Sequence, residues 1–94
     1  MSEEVVRVRA VVRGQVQAVG YRAFVLHHAH RLGLRGTVAN RPDGSVECLI
    51  EGPRDRVDAL VERLRVGPYH ASVDAVEVSP ATPIGALPPM TVTA

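Results

Sequence analysis

The spacing of the apolar residues changes abruptly between residues 14 and 22, and this change constrains the fold more than any other feature of the sequence. From Val5 to Arg13, apolar and polar residues alternate, which predicts a β-strand with one wet face. From about Gly20 to Leu32, apolar residues recur at helical spacing, and Gly33 is placed to end that helix. Residues 14–22, which read Gly-Gln-Val-Gln-Ala-Val-Gly-Tyr-Arg, are therefore predicted to lead from a strand into a helix.

This strand-to-helix loop has the composition of an anion cradle. Successive backbone N–H groups of such a loop, together with the unpaired donors of the following helix, converge on one negative group. The predicted phosphate-binding residues are Gln15, Val16, Gln17, Ala18, Val19, Gly20 and Arg22. Arg22 adds a planar fork of N–H donors that suits two phosphate oxygens. Spacing alone leaves a second interpretation open, in which the two glycines are turn residues and Arg22 is a solvated charge.

The rest of the chain predicts one more helix and at least three more strands. A turn over Arg41-Pro42-Asp43-Gly44 separates two alternating runs and indicates a hairpin. Pro53 is predicted as the first helical residue of the second helix, which Gly67-Pro68 ends. The predicted strands beyond the first are 34–39, 46–51, 73–78 and a short edge strand within 90–93.

This order of elements predicts an α+β fold, the ferredoxin-like β-α-β-β-α-β sandwich, with one antiparallel sheet and two helices on one face. We expect a single domain over 1–94, with a core over about 5–80 and a Pro-rich tail over 81–94. One internal check follows. If the first and third strands are neighbours, Arg7 and Arg9 should pair with Glu47 and Glu51 across them, at about 0.2 to 1 kcal/mol each.

Composition excludes several classes of function. A chain of 94 residues with a net charge of +1, 11 Arg and 10 acidic residues in scattered positions has neither a nucleic-acid-binding stripe nor an acidic tail. The lone cysteine, Cys48, excludes an internal disulfide and is expected in the core of a protein from a reducing compartment. The acidic start, Met1-Ser2-Glu3-Glu4, and the absence of a long apolar run predict a cytoplasmic protein without membrane contact. A monomer is the working expectation.

Other residues with chemical potential carry weak signals. His27, His28 and His30 lie on the predicted first helix, but no carboxylate or cysteine accompanies them at metal-ligand spacing. Asp43 and Glu47 are read as turn and surface residues rather than as a general acid and base. No nucleotide-binding fingerprint occurs, and the few aromatic residues do not lie in the predicted central strands, which disfavours an RNA-binding sheet.

Two separated motifs resemble the signatures of the acylphosphatase family. The first is carried by Gly14, Val16, Gln17, Val19, Tyr21 and Arg22. The second is carried by Gly36, Val38, Asn40, Gly44, Val46, Glu47 and Gly52. The resemblance extends more weakly over 67–78 and implies the ferredoxin-like fold and hydrolysis of the carboxyl-phosphate anhydride of acyl phosphates, without cofactor or metal.

The resemblance also implies the catalytic residues, Arg22 to bind the phosphate and Asn40 to orient the attacking water. The chemistry agrees, because a carboxylate leaves without protonation, so a clamp on the phosphoryl oxygens and a positioned water are the main requirements. Asn40 carries a donor and an acceptor on one side chain, as orienting a neutral water requires. Taken without the motif, an asparagine beside Pro-Asp-Gly is more often a turn former, and the matched motif reverses that preference.

One position departs from the family pattern inside the cradle. Ala18 stands where the family has glycine. If this position needs a positive φ, alanine costs about 1 to 2 kcal/mol and can tilt an amide away from the phosphate. The alternative hypothesis is therefore an acylphosphatase-like module that binds phosphate or acyl phosphate without turnover.

Overall fold

The computed structural model describes residues 4–83 and 85–94. Met1, Ser2 and Glu3 of the acidic start and Ile84 of the Pro-rich tail lie outside the described residues. Within them the chain forms two helices and five strands. In chain order these are β1 (Val5–Gln15), α1 (Tyr21–Arg31), β2 (Arg35–Asn40), β3 (Val46–Pro53), α2 (Arg54–Val66), β4 (Ser72–Ala81) and β5 (Thr91–Val92).

The strands form one sheet in the order β4-β1-β3-β2-β5, which confirms the ferredoxin-like architecture. The expectation of a wholly antiparallel sheet is wrong at one edge, because β5 pairs with β2 in parallel. β4 and β5 lie at opposite edges of the sheet, so they do not form a hairpin with each other, and β5 pairs instead with β2, from which β3, α2 and β4 separate it in sequence. β4 continues through Pro80 to Ala81, since an edge strand tolerates a residue without an N–H.

The two helices cover one face of the sheet and enclose the core. Tyr21, Val25 and Ala29 point inward from α1, while α2 buries four aliphatic residues spaced at helical intervals. Cys48 is fully buried among them, and this burial raises the pKa of its thiol to about 12, so it is a core residue. Pro53 is not the first helical residue as predicted, because its ψ of 138° is extended; α2 begins at Arg54.

The opposite face of the sheet carries the predicted ion pairs. Arg7 Nε donates to Glu51 Oε1 at 2.7 Å, and Arg9 pairs with Glu47. Glu51 is 5% exposed, and its other carboxylate oxygen accepts a hydrogen bond from the backbone N–H of Gly85 in the tail. Val11, which the alternating pattern placed on the wet face, is nevertheless buried. It lies in register between acidic residues of β3 and β4, whose side-chain stems flank it.

Candidate functional site

The loop that precedes α1 begins at an irregularity in β1. The register of β1 against β4 shifts between Arg13 and Gly14. Gly14 has φ of 133°, and a Cβ there would lie 2.2 Å from the backbone oxygen of Ser72. Glycine is therefore required if β1 is to stay paired with β4 up to the start of the loop. This pairing fixes the position from which residues 16–20 turn into the helix.

Two left-handed residues shape the turn itself. Gly20, with φ of 80°, is the N-cap residue of α1, and a Cβ at this position would meet nothing within 4 Å. Ala18 has φ of 60° and is the one non-glycine residue with positive φ among residues 4–83 and 85–94. The loop thus keeps the conformation that glycine would adopt at position 18, at a strain of about 1 to 2 kcal/mol.

The backbone N–H groups in the first turn of α1 have no partner within the helix. No side chain caps the helix, and the first turn contains no acidic residue. The first backbone bond into the helix runs from Phe24 N to Gly20 O at 3.0 Å, so the N–H groups of residues 21–23 precede the intrahelical ladder. The positive end of the helix dipole and Arg22 therefore lie together, and both favour an anion.

Tyr21 anchors this turn to the other helix. It is 1% exposed, and its hydroxyl donates to Leu64 O at 2.7 Å. Burial raises the pKa of the phenol. Tyr21 is therefore a neutral structural residue that holds the start of α1 against the last turn of α2.

A cavity of about 310 Å³ brings together the residues at the centre of the sequence prediction. Val16, Ala18, Gly20, Arg22 and Asn40 all contribute to its lining. The first four come from the loop and α1, and Asn40 comes from the end of β2. The order of strands explains why these residues meet. β1 and β2 are both antiparallel to β3 and lie on either side of it, so their C-terminal ends are at the same end of the sheet.

The remaining predicted phosphate-binding residues, Gln15, Gln17 and Val19, do not line this cavity. Gln15 is exposed at the end of β1, and Val19 packs against the core. Gln17 reaches the hairpin between β2 and β3, where its Nε2 donates to Arg41 O at 2.7 Å and to Ser45 O at 2.9 Å. The side chain of Gln17 therefore ties the loop to the hairpin that follows Asn40.

The hairpin turn has its own polar network. Asp43 Oδ1 accepts hydrogen bonds from Ser45 N at 2.9 Å and from Ser45 Oγ at 2.6 Å. These bonds, with a smaller contribution from Arg13, lower the pKa of Asp43 to about 2. Asp43 is thus an ionised turn residue, and Glu47 pairs with Arg9 on the open face of the sheet.

Arg22 and Asn40 converge on one oxygen atom. Arg22 Nη1 donates to the backbone oxygen of Ala94 at 2.7 Å, and the backbone N–H of Asn40 donates to the same oxygen at 3.0 Å. None of the ion pairs within residues 4–83 and 85–94 includes Arg22. Asn40 Oδ1 is buried and has no hydrogen-bond partner among those residues. An arginine outside these ion pairs and an unpaired acceptor therefore border one cavity.

The histidines of α1 lie apart from this cavity. His30 Nε2 is 2.8 Å from Met90 O and holds the segment that leads into β5. Burial, and next the charge of Arg63, lower the pKa of His28. In the described part of the chain, no three His, Cys, Asp or Glu side chains are grouped as metal ligands, and neither helix has the length and apolar character to span a membrane.

Sequence reasoning missed four residues that border the site. Ala23, Leu26 and Val92 also line the cavity, and Ala94 contacts Arg22. The position of Leu26, four residues after Arg22, was a usable signal, because residues so spaced share a helix face. Val92 and Ala94 had no such signal in the sequence, because it is the parallel pairing of β5 with β2 that brings them to the cavity.

Comparisons with known proteins show the family to which the chain belongs. The acylphosphatase family model matches residues 8–87. An acylphosphatase of Caldivirga maquilingensis is 54% identical over 76 residues, which cover 80% of each chain. One of Nitrobacter hamburgensis is 53% identical over 78 residues, covering 83% of this chain and 78% of the relative. The crystal structure of acylphosphatase from Bacillus subtilis superposes with a TM-score of 0.90 at 32% identity, covering 95% of this chain and 99% of that chain. The chain belongs to the acylphosphatase family and is an enzyme that hydrolyses acyl phosphates.

Proposed function

We propose that Arg22 and the loop over residues 16–20 hold the phosphoryl group of the acyl phosphate. The N–H groups at the start of α1 and the guanidinium both supply donors at this cavity, and none of the ion pairs among the described residues includes Arg22. Each charge-assisted bond to a phosphoryl oxygen contributes about 1.5 to 3 kcal/mol. Arg22 Nη1 is held by Ala94 O, so the fork is already oriented before substrate binds.

Asn40 orients the attacking water in this proposal. Its Oδ1 is a buried acceptor without a partner among the described residues, and leaving such a group unpaired costs about 1 to 3 kcal/mol. A water that donates to this oxygen satisfies it and turns a lone pair toward the phosphorus. Asn40 does not titrate, so it positions the water without taking its proton.

The reaction then proceeds in one displacement. The water oxygen forms a bond to phosphorus, and the bond between phosphorus and the acyl oxygen breaks with its electron pair on the carboxylate. The proton released by the water passes to a phosphate oxygen or to solvent. The products are a carboxylate and inorganic phosphate, and Arg22 with the loop donors stabilises the negative charge on the transferring group.

The observation that carries this proposal is the shared cavity of Arg22 and Asn40, two residues from separate motifs. We propose further that the reaction needs no metal ion, because the carboxylate leaving group is stable as an anion. A cytoplasmic location is proposed from the lone buried cysteine, which suits a reducing compartment.

The test is hydrolysis of acetyl phosphate by the purified protein in excess chelator. Wild-type activity should survive chelation, and Arg22→Ala should lower kcat/KM by on the order of a hundredfold or more. Arg31→Ala, which removes an exposed arginine from the other end of the same helix, is the matched control and should change kcat/KM little. Undiminished hydrolysis by a folded Arg22→Ala protein would refute the proposal.

A further inference from the structure

The lining of the cavity combines polar and apolar side chains. Arg22 and Asn40 supply its polar side chains, and Ala23, Leu26 and Val92 are among the apolar ones. Among the described residues that line the cavity, Arg22 is the one charged residue. The phosphate clamp proposed above gives no task to Ala23, Leu26 or Val92.

Leu26 lies one helical turn beyond Arg22 on the same face of α1. Side chains four residues apart on a helix have Cβ atoms about 5 to 6 Å apart, so Leu26 borders the clamp directly. It is half-buried, with part of its side chain packed against the core and the rest lining the cavity. This part of α1 therefore presents an aliphatic surface next to the guanidinium.

Val92 contributes a second aliphatic side chain to the lining. β5 pairs with β2 so that Val92 lies opposite Val38, a core residue on the helix-covered side of the sheet. Val92 nevertheless remains 40% exposed, because β5 is the edge strand and α1 covers it only in part. An aliphatic side chain is thus left in contact with water inside the substrate cavity.

We propose that Leu26 and Val92 bind the acyl part of the substrate and select an apolar acyl group, branched aliphatic or aromatic, over a small or charged one. This inference rests on the proposed phosphate clamp. With the phosphoryl group at Arg22, the acyl substituent lies in the same cavity, where Ala23, Leu26 and Val92 line the wall without taking part in the clamp. A ring buried there removes apolar area from water, whereas a second carboxylate finds no described cation besides Arg22.

Binding of two non-hydrolysable phosphonates tests the proposal without turnover. Phenacylphosphonate and acetonylphosphonate differ in a phenyl against a methyl group, and both replace the bridging oxygen by a methylene. Titration calorimetry on the full chain should give a lower Kd for phenacylphosphonate. Val92→Thr should reduce that preference about threefold to fivefold, as expected for one methyl lost from the contact, and Leu26→Ala by about tenfold.

Val78→Thr is the matched control. Val78 has the same 40% exposure as Val92 but lies on β4, at the other edge of the sheet. It should leave the preference unchanged. Equal affinity of the wild type for the two phosphonates, or an unchanged preference in folded Val92→Thr and Leu26→Ala, would overturn the inference while acetyl phosphate hydrolysis and its dependence on Arg22 still stand. Binding of both phosphonates that is insensitive to Arg22→Ala would instead overturn the proposed clamp.

Discussion

Replacing Ala18 by glycine should stabilise the protein, because it removes a strain that the structure locates at one residue. Ala18 has φ of 60°, where the Cβ of an L-residue crowds the following carbonyl at a cost of about 1 to 2 kcal/mol. Glycine removes this cost but gains conformational entropy in the unfolded chain, which offsets about 0.4 to 1 kcal/mol. The difference between these ranges is about 0 to 1.6 kcal/mol, so the net increase in the free energy of unfolding is about 0.8 kcal/mol at their midpoints.

Thermal unfolding followed by circular dichroism measures this change. For a domain of this size, about 1 kcal/mol moves Tm by about 4 to 8 °C, so a gain of about 0.8 kcal/mol in Ala18→Gly should raise Tm by about 3 to 6 °C. Because Ala18 already holds the loop in the glycine-like conformation, kcat should change by less than about threefold.

The same chemical change on a helix gives the matched control. Ala59 is exposed in the middle of α2, where glycine costs about 1 kcal/mol and should lower Tm by about 4 to 8 °C. The two substitutions are thus expected to have opposite signs. If Ala18→Gly lowers Tm as Ala59→Gly does, the left-handed conformation at position 18 does not store strain and the reasoning fails.

Three further substitutions test contacts around the site. Gln17→Ala should lower the free energy of unfolding by only about 1 kcal/mol, because both hairpin carbonyls that Gln17 contacts keep a backbone donor. It should also lower kcat, because it loosens the end of β2 that carries Asn40. If the variant has the same kcat as wild-type protein that urea has brought to the same stability, this reasoning is wrong. Tyr21→Phe should destabilise the protein by about 1 to 2 kcal/mol in urea unfolding, because Leu64 O loses its donor, and an unchanged midpoint would refute that role. The pKa of Asp43 is lowered to about 2 from an ordinary 3.8, so its contribution to stability is present above about pH 4 and is lost as the pH falls toward 2; Asp43→Asn should flatten the pH dependence in that range, and an unaltered profile would contradict the assignment.

The elements of the fold were predictable because their signals are local. Alternation in β1, the helical stripe of α1 and the Pro-Asp-Gly turn each depend on a few neighbouring residues. The pairing of Arg7 with Glu51 followed from them, once β1 and β3 were taken as neighbours. The parallel pairing of β5 was not predictable, because it depends on where a long tail returns to the sheet.

The same contrast between local signals and long-range pairing applies to the residues of the site. Residues 15–20, Arg22 and Asn40 could be predicted as site residues because they occupy two compact motifs, and the structure brings members of both motifs to one cavity. The contribution of Gln17 was assigned to the phosphate, whereas its side chain binds the hairpin, since a sequence does not tell which way an amide points. Val92 was missed because its place beside Leu26 depends on the fold of the tail.

The central claim is that Arg22 and Asn40 perform different tasks, and it is tested most directly by separating phosphate affinity from turnover. The measurement is the Kd for inorganic phosphate and the kcat for benzoyl phosphate in the folded Arg22→Ala and Asn40→Ala proteins. The account predicts that Arg22→Ala weakens phosphate binding at least tenfold, whereas Asn40→Ala keeps near wild-type affinity and loses kcat by on the order of a hundredfold. Loss of phosphate affinity in Asn40→Ala with kcat intact, or intact affinity in Arg22→Ala, would contradict it.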